Sequence, residues 1–409
     1  MTAMRILQIG PVPPECGGRD TGGIATHLIG LATHLAARGH DVGVIADNRG
    51  YDSGVWPAQC AAVSVYGIED FAGPRRTAAL LNPTAWRDLA RAHGALAGLG
   101  SARWAVAKVA AYREVAAAFQ PDIVHVHTLE TRFSFADAVF RGRVPLVATV
   151  HSSHYVEFAE ERRRTAHEAL VRRNLAHAGH TIFVSRYLRQ RYGQLFGADA
   201  SLPLARVIPN PIDASSHVPL DRLASRRALG LAESGSVLLF VGNLIARKDA
   251  ATLLRATAIL VREGIDVTAV VVGAGPEEEA LRALAEAENI VAHVRFEGAK
   301  LQTELARYYS AADLFVFPSL MESFGLVALE AMLFGLPVIG SPEVFDEVVP
   351  TRSGMQVRPQ APEALARAIA DALGRSWDRA AIRAGALDFD WGSRIGAFEQ
   401  AYAEIVASA

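Results

Sequence analysis

The hydrophobic pattern of this chain alternates between short continuous apolar runs and longer segments in which apolar residues recur every three or four positions. Residues 5–10 form the first apolar run. The segment after it carries its apolar side chains at helical spacing, at Ile24, Leu28, Leu31 and Leu35. Continuous apolar runs are typical of parallel strands buried on both faces, and the period of 3.6 predicts amphipathic helices between them. The sequence therefore predicts a doubly wound α/β protein.

The same pattern starts again at residues 236–242, after a proline-containing segment at 207–213 where we expect a hinge. Two such halves predict two Rossmann-like domains with a cleft between them, over residues 1–205 and 206–385. Residues 386–409 form a third segment, an amphipathic helix. Its apolar face carries Ile395, Phe398, Tyr402 and Ile405.

Composition limits the classes of partner. The chain has 41 Lys and Arg residues against 43 Asp and Glu residues, so it lacks the strong basic field that nucleic-acid binding requires. No uncharged apolar run reaches the length of a transmembrane helix, which leaves only peripheral contact with a membrane open. Two cysteines, Cys16 and Cys60, indicate neither a disulfide scaffold nor a zinc ribbon, and favour a reducing compartment, the cytoplasm.

Two glutamates eight residues apart, Glu322 and Glu330, give the strongest indication of chemistry. Glu322 lies between a buried-strand pattern and an apolar helix, and Glu330 lies about 12 Å along that helix at ~1.5 Å per residue. The first N–H groups of a helix have no intrahelical acceptor and attract anions. Here they belong to Phe324, Gly325, Leu326 and Val327. A carboxylate on either side of an anion site suits a nucleoside-diphosphate sugar.

Two further segments could bind phosphate. Arg247 and Lys248 follow the strand 236–242, at the edge where doubly wound sheets bind ligands, and a guanidinium beside an ammonium suits two phosphates. Gly22 and Gly23 precede the first helix and allow close approach of a phosphate, although tight packing of strand on helix explains them equally well. No complete Gly-x-Gly-x-x-Gly occurs at the first strand–helix turn, so a dinucleotide-dependent oxidoreductase is weakly supported.

Histidines and an Asp-x-Asp segment suggest metals only weakly. His125 and His127 share one face of a strand, but two histidines without a third ligand make a poor site. His127 is therefore predicted to line the cleft and His125 to pack. Asp388 and Asp390 precede a helix and fit its N-cap better than a metal site. We predict neither a bound metal nor a cofactor.

In the context of residues 313–341, the Glu-x7-Glu segment resembles the retaining family-4 glycosyltransferases of the GT-B fold, which carry this motif in their C-terminal domain. The resemblance implies that Glu322 and the N–H groups after it hold the hydroxyls of the donor sugar. It implies that Glu330 takes the ribose hydroxyls and that Arg247 and Lys248 stabilise the departing diphosphate. The final helix is expected to cross back to the N-terminal domain.

For the N-terminal domain, the resemblance implies that Gly23 faces the donor diphosphate and that His151, at the end of the strand 145–150, faces the transferred sugar. His127 is expected on the acceptor side. The implied reaction moves a hexosyl or N-acetylhexosaminyl group from a nucleoside-diphosphate sugar, with UDP or GDP expected first, to a hydroxyl of a small molecule or glycan. It proceeds with retention, without metal, and bacterial cell-surface glycan and secondary-metabolite pathways are candidates.

The chain departs from the family pattern at two places. It has Gly242-Asn243 where the family usually carries Gly-Arg, and it replaces the usual Gly-Gly stretch near residues 344–346. These departures keep open a catalytically inactive sugar-nucleotide-binding partner subunit. A nucleotide-sugar epimerase of the same fold is the other alternative.

Overall fold

The structure, a computed structural model, describes residues 2–19, 22–50, 57–68, 82–92, 102–152, 161–197, 205–342 and 347–408. The departure at 344–346 lies outside these ranges. Contacts within the chain divide it into two compact units, of which the first is Met1–Pro211 with Trp391–Ala409 and the second is Ile212–Asp390. The domain predicted for this part of the chain spans residues 206–385.

The strands of the first unit are β1 (Arg5–Gly10), β2 (Asp41–Ala46), β3 (Ala58–Cys60), β4 (Val63–Gly67), β5 (Ile123–Val126), β6 (Leu146–Val150), β7 (His180–Phe183) and β8 (Ala205–Val207). Those of the second unit are β9 (Ser236–Val241), β10 (Val267–Val272), β11 (Val294–Gly298), β12 (Leu314–Phe317), β13 (Val338–Gly340) and β14 (Gly354–Gln356).

The α-helices up to the unit boundary are α1 (Gly23–Ala37), α2 (Pro83–Ala92), α3 (Ala102–Phe119), α4 (Thr131–Phe140), α5 (Glu161–His177) and α6 (Arg186–Phe196). The remaining helices are α7 (Arg222–Ala228), α8 (Ala250–Arg262), α9 (Glu278–Ala287), α10 (Gln302–Ala311), α11 (Leu326–Leu333), α12 (Pro362–Leu373), α13 (Arg379–Leu387) and α14 (Trp391–Ala407).

Each unit contains one mainly parallel sheet. The first sheet has the order β3-β4-β2-β1-β5-β6-β7-β8, and the second has the order β11-β10-β9-β12-β13-β14. Neighbouring strands in these two orders pair in parallel, except β3 and β4, which are antiparallel. The central strands are buried along nearly their whole length because helices cover the sheet, as their uninterrupted apolar runs predict. The prediction of two Rossmann-like sheets is confirmed.

The strand order places the carboxyl ends of β1, β5 and β6 side by side in the first sheet, and those of β9 and β12 side by side in the second. Loops that follow adjacent parallel strands meet at the same edge, even when the strands are far apart in sequence. This is the edge at which doubly wound sheets bind ligands.

The final helix, α14, belongs to the first unit and packs on α1, as predicted. Trp391, Ile395 and Phe398 are buried in the core of this unit. A side chain at Gly30 of α1 would place its Cβ 2.6 Å from the indole of Trp391, so glycine permits this close approach. The helix is also held by Glu399 Oε2, which lies 2.9 Å from a guanidinium nitrogen of Arg38.

The two cysteines correct the expectation drawn from their number. Cys16 and Cys60 form a disulfide bond, with their Cα atoms 5.3 Å apart, between the segment after β1 and strand β3. The small number of cysteines therefore no longer supports a reducing compartment. Within the described ranges, no α-helix combines the length and the apolar composition needed to cross a membrane.

Candidate functional site

One group of candidate residues lies at the carboxyl edge of the second sheet, where the loops after β9 and β12 meet. Arg247 and Lys248 belong to a single 3-10 turn, Ala246–Lys248, which ends at Asp249 in the left-handed conformation. The N–H of Leu320, after β12, donates a 2.9 Å hydrogen bond to the carbonyl of Arg247. The two loops are therefore joined through their backbones before any side chain contributes.

Glu322 forms ion pairs with both basic residues. Its Oε2 lies 2.6 Å from Nζ of Lys248 and 3.7 Å from Nη1 of Arg247. The three side chains are only 12–15% exposed, which strengthens the attraction between them because little water screens it. Lys248 also lies over the ring of Phe317, with its Nζ 4.5 Å from the ring centroid. Two cations and one carboxylate leave this cluster with a net positive charge that suits an anionic ligand.

Helix α11 begins directly after this cluster. Its N-cap, Gly325, has φ +90°, a left-handed conformation that glycine adopts without strain. Phe324 is buried and packs edge to face on Phe389, with ring centroids 6.0 Å apart, so the turn before the helix is anchored. The helix begins later than predicted, at Leu326, so Phe324 precedes its N-cap and does not belong to the helix. The N–H groups of Leu326 and Val327 lie in the first turn, which has no intrahelical acceptors for them. The basic cluster and the helix start thus lie on one short segment.

Glu330 lies one turn further along α11 and is partly buried. Its Oε2 accepts a 2.8 Å hydrogen bond from the hydroxyl of the fully buried Tyr309. Burial raises the pKa of Glu330, while His217 and the hydrogen bonds from Tyr309 and Gln302 act in the opposite direction. This carboxylate is therefore held in position from one side by α10.

A separate group of candidate residues lies in the first unit. Gly22 caps helix α1 and Gly23 is its first residue, and both are exposed to solvent. His127 follows β5 and His151 follows β6, and His127 Nδ1 lies 3.2 Å from His151 Nε2. His127 is buried, whereas His151 is partly exposed. The structure thus joins two histidines that the sequence analysis assigned to separate roles.

His125 is a packing residue, as predicted. Both of its ring nitrogens are engaged, one with the hydroxyl of Tyr402 and the other with that of Thr149, each at 2.6 Å. Burial lowers the pKa of His125 to about 3, and the neighbouring His27 adds to the effect. Burial also lowers the pKa of both His127 and His151 well below 6.5, so these imidazoles are neutral near pH 7.

His27 lies beside these histidines but was not predicted from the sequence as a candidate residue. This residue lies on α1 with its ring centroid 4.9 Å from that of His151 and 5.6 Å from that of His127. The signal was available, because position 27 is one of the helical positions that share the apolar face of Leu28 and Leu31. A histidine there is a polar group directed into the core.

Comparison with known proteins gives consistent matches along the chain. A sequence model of the family described as Glycosyltransferase Family 4 matches residues 21–216, and one described as Glycosyl transferases group 1 matches residues 221–386. The D-inositol 3-phosphate glycosyltransferase of Acidothermus cellulolyticus is 32% identical over 346 residues, which cover 80% of this chain and 72% of the relative.

Solved structures show the same fold. The sucrose-phosphate synthase of Thermosynechococcus elongatus matches with a TM-score of 0.73 and 23% identity over 99% of both chains. The Anabaena protein HepE, solved in complex with UDP and glucose, matches with a TM-score of 0.69 and 22% identity over 99% of this chain and 100% of that one. These likenesses confirm the predicted GT-B fold.

Proposed function

This chain belongs to the family-4 glycosyltransferases of the GT-B fold, which use sugar-nucleotide donors, and on that premise we propose which reaction it performs. It moves a hexosyl or N-acetylhexosaminyl group from a nucleoside-diphosphate sugar to an acceptor hydroxyl, with retention of the anomeric configuration. The observation that carries the proposal is the contact of Lys248 and Arg247 with Glu322 next to the start of α11. It combines positive charge, helix N–H groups and a carboxylate, which together suit a sugar attached to a diphosphate.

In the proposed donor complex, the diphosphate binds to Arg247, Lys248 and the N–H groups of residues 324–327. Glu322 contacts the cations and precedes the helix in sequence, and its carboxylate is proposed to accept hydrogen bonds from the sugar hydroxyls. Glu330, further along the helix, accepts from the ribose hydroxyls. On the family resemblance, we also assign the backbone of Gly23 to the diphosphate.

The chemistry breaks the bond between the anomeric carbon and the diphosphate oxygen and forms a bond from that carbon to the acceptor oxygen. Negative charge develops on the departing diphosphate, and Arg247 and Lys248 stabilise it electrostatically. The departing phosphate oxygen takes the proton of the acceptor hydroxyl on the same face of the sugar, which gives retention. The cations are part of the protein, so the proposed reaction needs no metal ion.

The first unit is proposed to bind the acceptor. His151 faces the transferred sugar and His127 lies behind it, with Nε2 of His127 held by the side-chain carbonyl of Gln8 at 3.0 Å. UDP is the first nucleotide to test, because HepE, which has a similar fold, was solved in complex with UDP. A phosphorylated inositol is the first acceptor to test, because the named relative acts on one. A cytoplasmic location and a role in bacterial glycan or secondary-metabolite synthesis remain proposals.

The experiment measures thermal unfolding of the full chain with UDP-, GDP- and ADP-linked glucose and N-acetylglucosamine. A donor at ~100 times its dissociation constant should stabilise the protein by about 2.7 kcal/mol. The stabilising donor is then incubated without acceptor, and the products are identified by NMR. Slow release of nucleoside diphosphate supports a transferase, isomerised donor would indicate an epimerase, and an unchanged bound donor would indicate an inactive subunit. Addition of acceptor should give a product with the donor's anomeric configuration.

A further inference from the structure

The unexplained feature of the first unit is the position of His27. Its side chain is buried, and neither of its ring nitrogens has a hydrogen-bond partner among the described residues. A buried polar group without a partner costs free energy, so such a group in a folded protein calls for an explanation. His27 is directed at two other histidines, His127 and His151, which come from the ends of neighbouring strands. We propose that His27, His127 and His151 bind a divalent transition-metal ion of the zinc class.

The distances fit such an ion. One ring nitrogen from each of the three histidines can be chosen so that all three lie within 4.8 Å of one another. A tetrahedral zinc ion with bonds of 2.0–2.1 Å holds its nitrogen ligands about 3.3 Å apart. The 3.2 Å between His127 Nδ1 and His151 Nε2 already matches that spacing. The separations have to shorten by at most about 1.5 Å from the 4.8 Å limit, and no hydrogen bond to a described residue holds the ring of His27 away.

The surroundings also prepare the ligands. The side-chain carbonyl of Gln8 lies 3.0 Å from Nε2 of His127 and can only accept a hydrogen bond, so this nitrogen carries the hydrogen and is the donor. Nδ1 of His127 is then left with a lone pair directed at His151. A ligating histidine typically donates its other N–H to a carbonyl in this way, which fixes the ring and its tautomer. Burial keeps the three imidazoles neutral, which is the form that binds metal.

The ligand set defines the class of ion. Three imidazoles favour zinc, cobalt, nickel and copper ions, whereas magnesium prefers oxygen ligands. Three protein ligands leave one tetrahedral position for water or another small ligand. A histidine metal site was not predicted from the sequence, because His125 and His127 alone make a poor site. The structure instead excludes His125, whose nitrogens are both engaged, and brings His27 and His151 to His127.

The test uses the full chain without a polyhistidine tag, stripped of metal with EDTA and then titrated with zinc chloride by calorimetry. We expect one zinc ion per chain, and the same titration with magnesium chloride should give no binding at this site. Cobalt chloride should give the visible absorption of a tetrahedral cobalt complex. Zinc binding should weaken by more than about 100-fold in His27→Leu and His151→Leu, and by about 10- to 100-fold in Gln8→Leu, since outer partners contribute that much.

The control variant is His34→Gln, on the same helix and two turns away, where the side chain stacks on Trp391 instead of facing the cluster. It should bind zinc like the unchanged protein. His27 makes no hydrogen bond to a described residue, so His27→Leu should unfold in EDTA at the same temperature as the unchanged protein or higher; if it does not fold, His151→Leu decides. Equal zinc affinity in the unchanged protein and the histidine variants, or no zinc binding at all, would overturn the proposal. Neither outcome depends on glycosyl transfer.

Discussion

Removal of Glu330 and removal of Glu322 should change nucleoside-diphosphate binding in different ways, although both residues are glutamates on one short segment. In the proposed complex, Glu330 contacts the nucleotide itself, whereas Glu322 contacts only the sugar that the free nucleotide lacks. Glu322 also neutralises Lys248, with 2.6 Å between Oε2 and Nζ. The two substitutions therefore act on different parts of the ligand.

Glu330→Ala removes an acceptor for the ribose hydroxyls. Hydrogen bonds to a charged group contribute about 1.5–3 kcal/mol, so the affinity for UDP should fall by at least about tenfold. The same substitution leaves the hydroxyl of buried Tyr309 without its acceptor, which costs about 1–3 kcal/mol of folding stability. Tyr309→Phe removes that hydrogen bond from the other side and keeps the carboxylate. It should therefore change UDP affinity far less than Glu330→Ala does.

Glu322→Ala leaves Arg247 and Lys248 without their carboxylate. The two cations are then no longer partly neutralised by Glu322 and attract a diphosphate more strongly. The affinity for UDP should therefore stay the same or rise by up to about tenfold, which corresponds to ~1.4 kcal/mol. Turnover should fall by about 100-fold or more, because the sugar is no longer held in line with the acceptor. The substitution thus separates binding of the product nucleotide from transfer of the sugar.

The assay is calorimetric titration of each variant with UDP, or with the nucleotide that the donor screen selects, together with turnover under saturating donor. Glu279→Ala, an exposed glutamate in the first turn of α9, is the matched control and should leave both quantities unchanged. Equal losses of UDP affinity in Glu330→Ala and Glu322→Ala would refute the assigned roles. A loss of affinity in Glu322→Ala alone would reverse them.

Three further predictions test other parts of the account. Transfer should continue in excess EDTA, even with the proposed zinc site of His27, His127 and His151 emptied, because protein cations neutralise the diphosphate; loss of turnover that an added divalent metal ion restores would contradict this. Reduction of the Cys16–Cys60 bond, which joins residues 44 positions apart, should make the protein about 2–4 kcal/mol less stable than its oxidised form. Thermal unfolding with and without reductant measures this difference. Two free thiols in the unreduced, denatured protein would disprove the bond. Burial alone would raise the pKa of Glu399, but the hydrogen bonds from Arg38 and His40 outweigh burial and lower this pKa. The ionised carboxylate therefore stabilises the fold fully above the ordinary pKa of 4.5, and this stabilisation is lost as the pH falls through the lowered pKa. Glu399→Gln should therefore lower the unfolding midpoint at pH 7 by roughly 2–4 °C, and a difference that did not shrink in acid would argue against the ion pair.

Most elements and the fold could be predicted from local sequence patterns. Apolar runs and helical periods are local patterns, and each buried strand or amphipathic helix follows from residues that are neighbours in sequence. The Glu322–Glu330 segment could be predicted for the same reason, because a strand, a turn at Gly325 and a helix start are all encoded within a few residues. The apolar face of α14 likewise predicted a helix that needed a partner surface.

The contacts between side chains distant in sequence could not be predicted in this way. Lys248 and Glu322 are 74 positions apart in sequence, and they touch because β9 and β12 are neighbours in the sheet. His27, His127 and His151 come from a helix and the ends of two strands, so no spacing in the sequence could reveal the cluster. The disulfide likewise depends on strand β3 lying beside the loop after β1. Contacts of this kind follow from strand order, which is set by the packing of the whole unit.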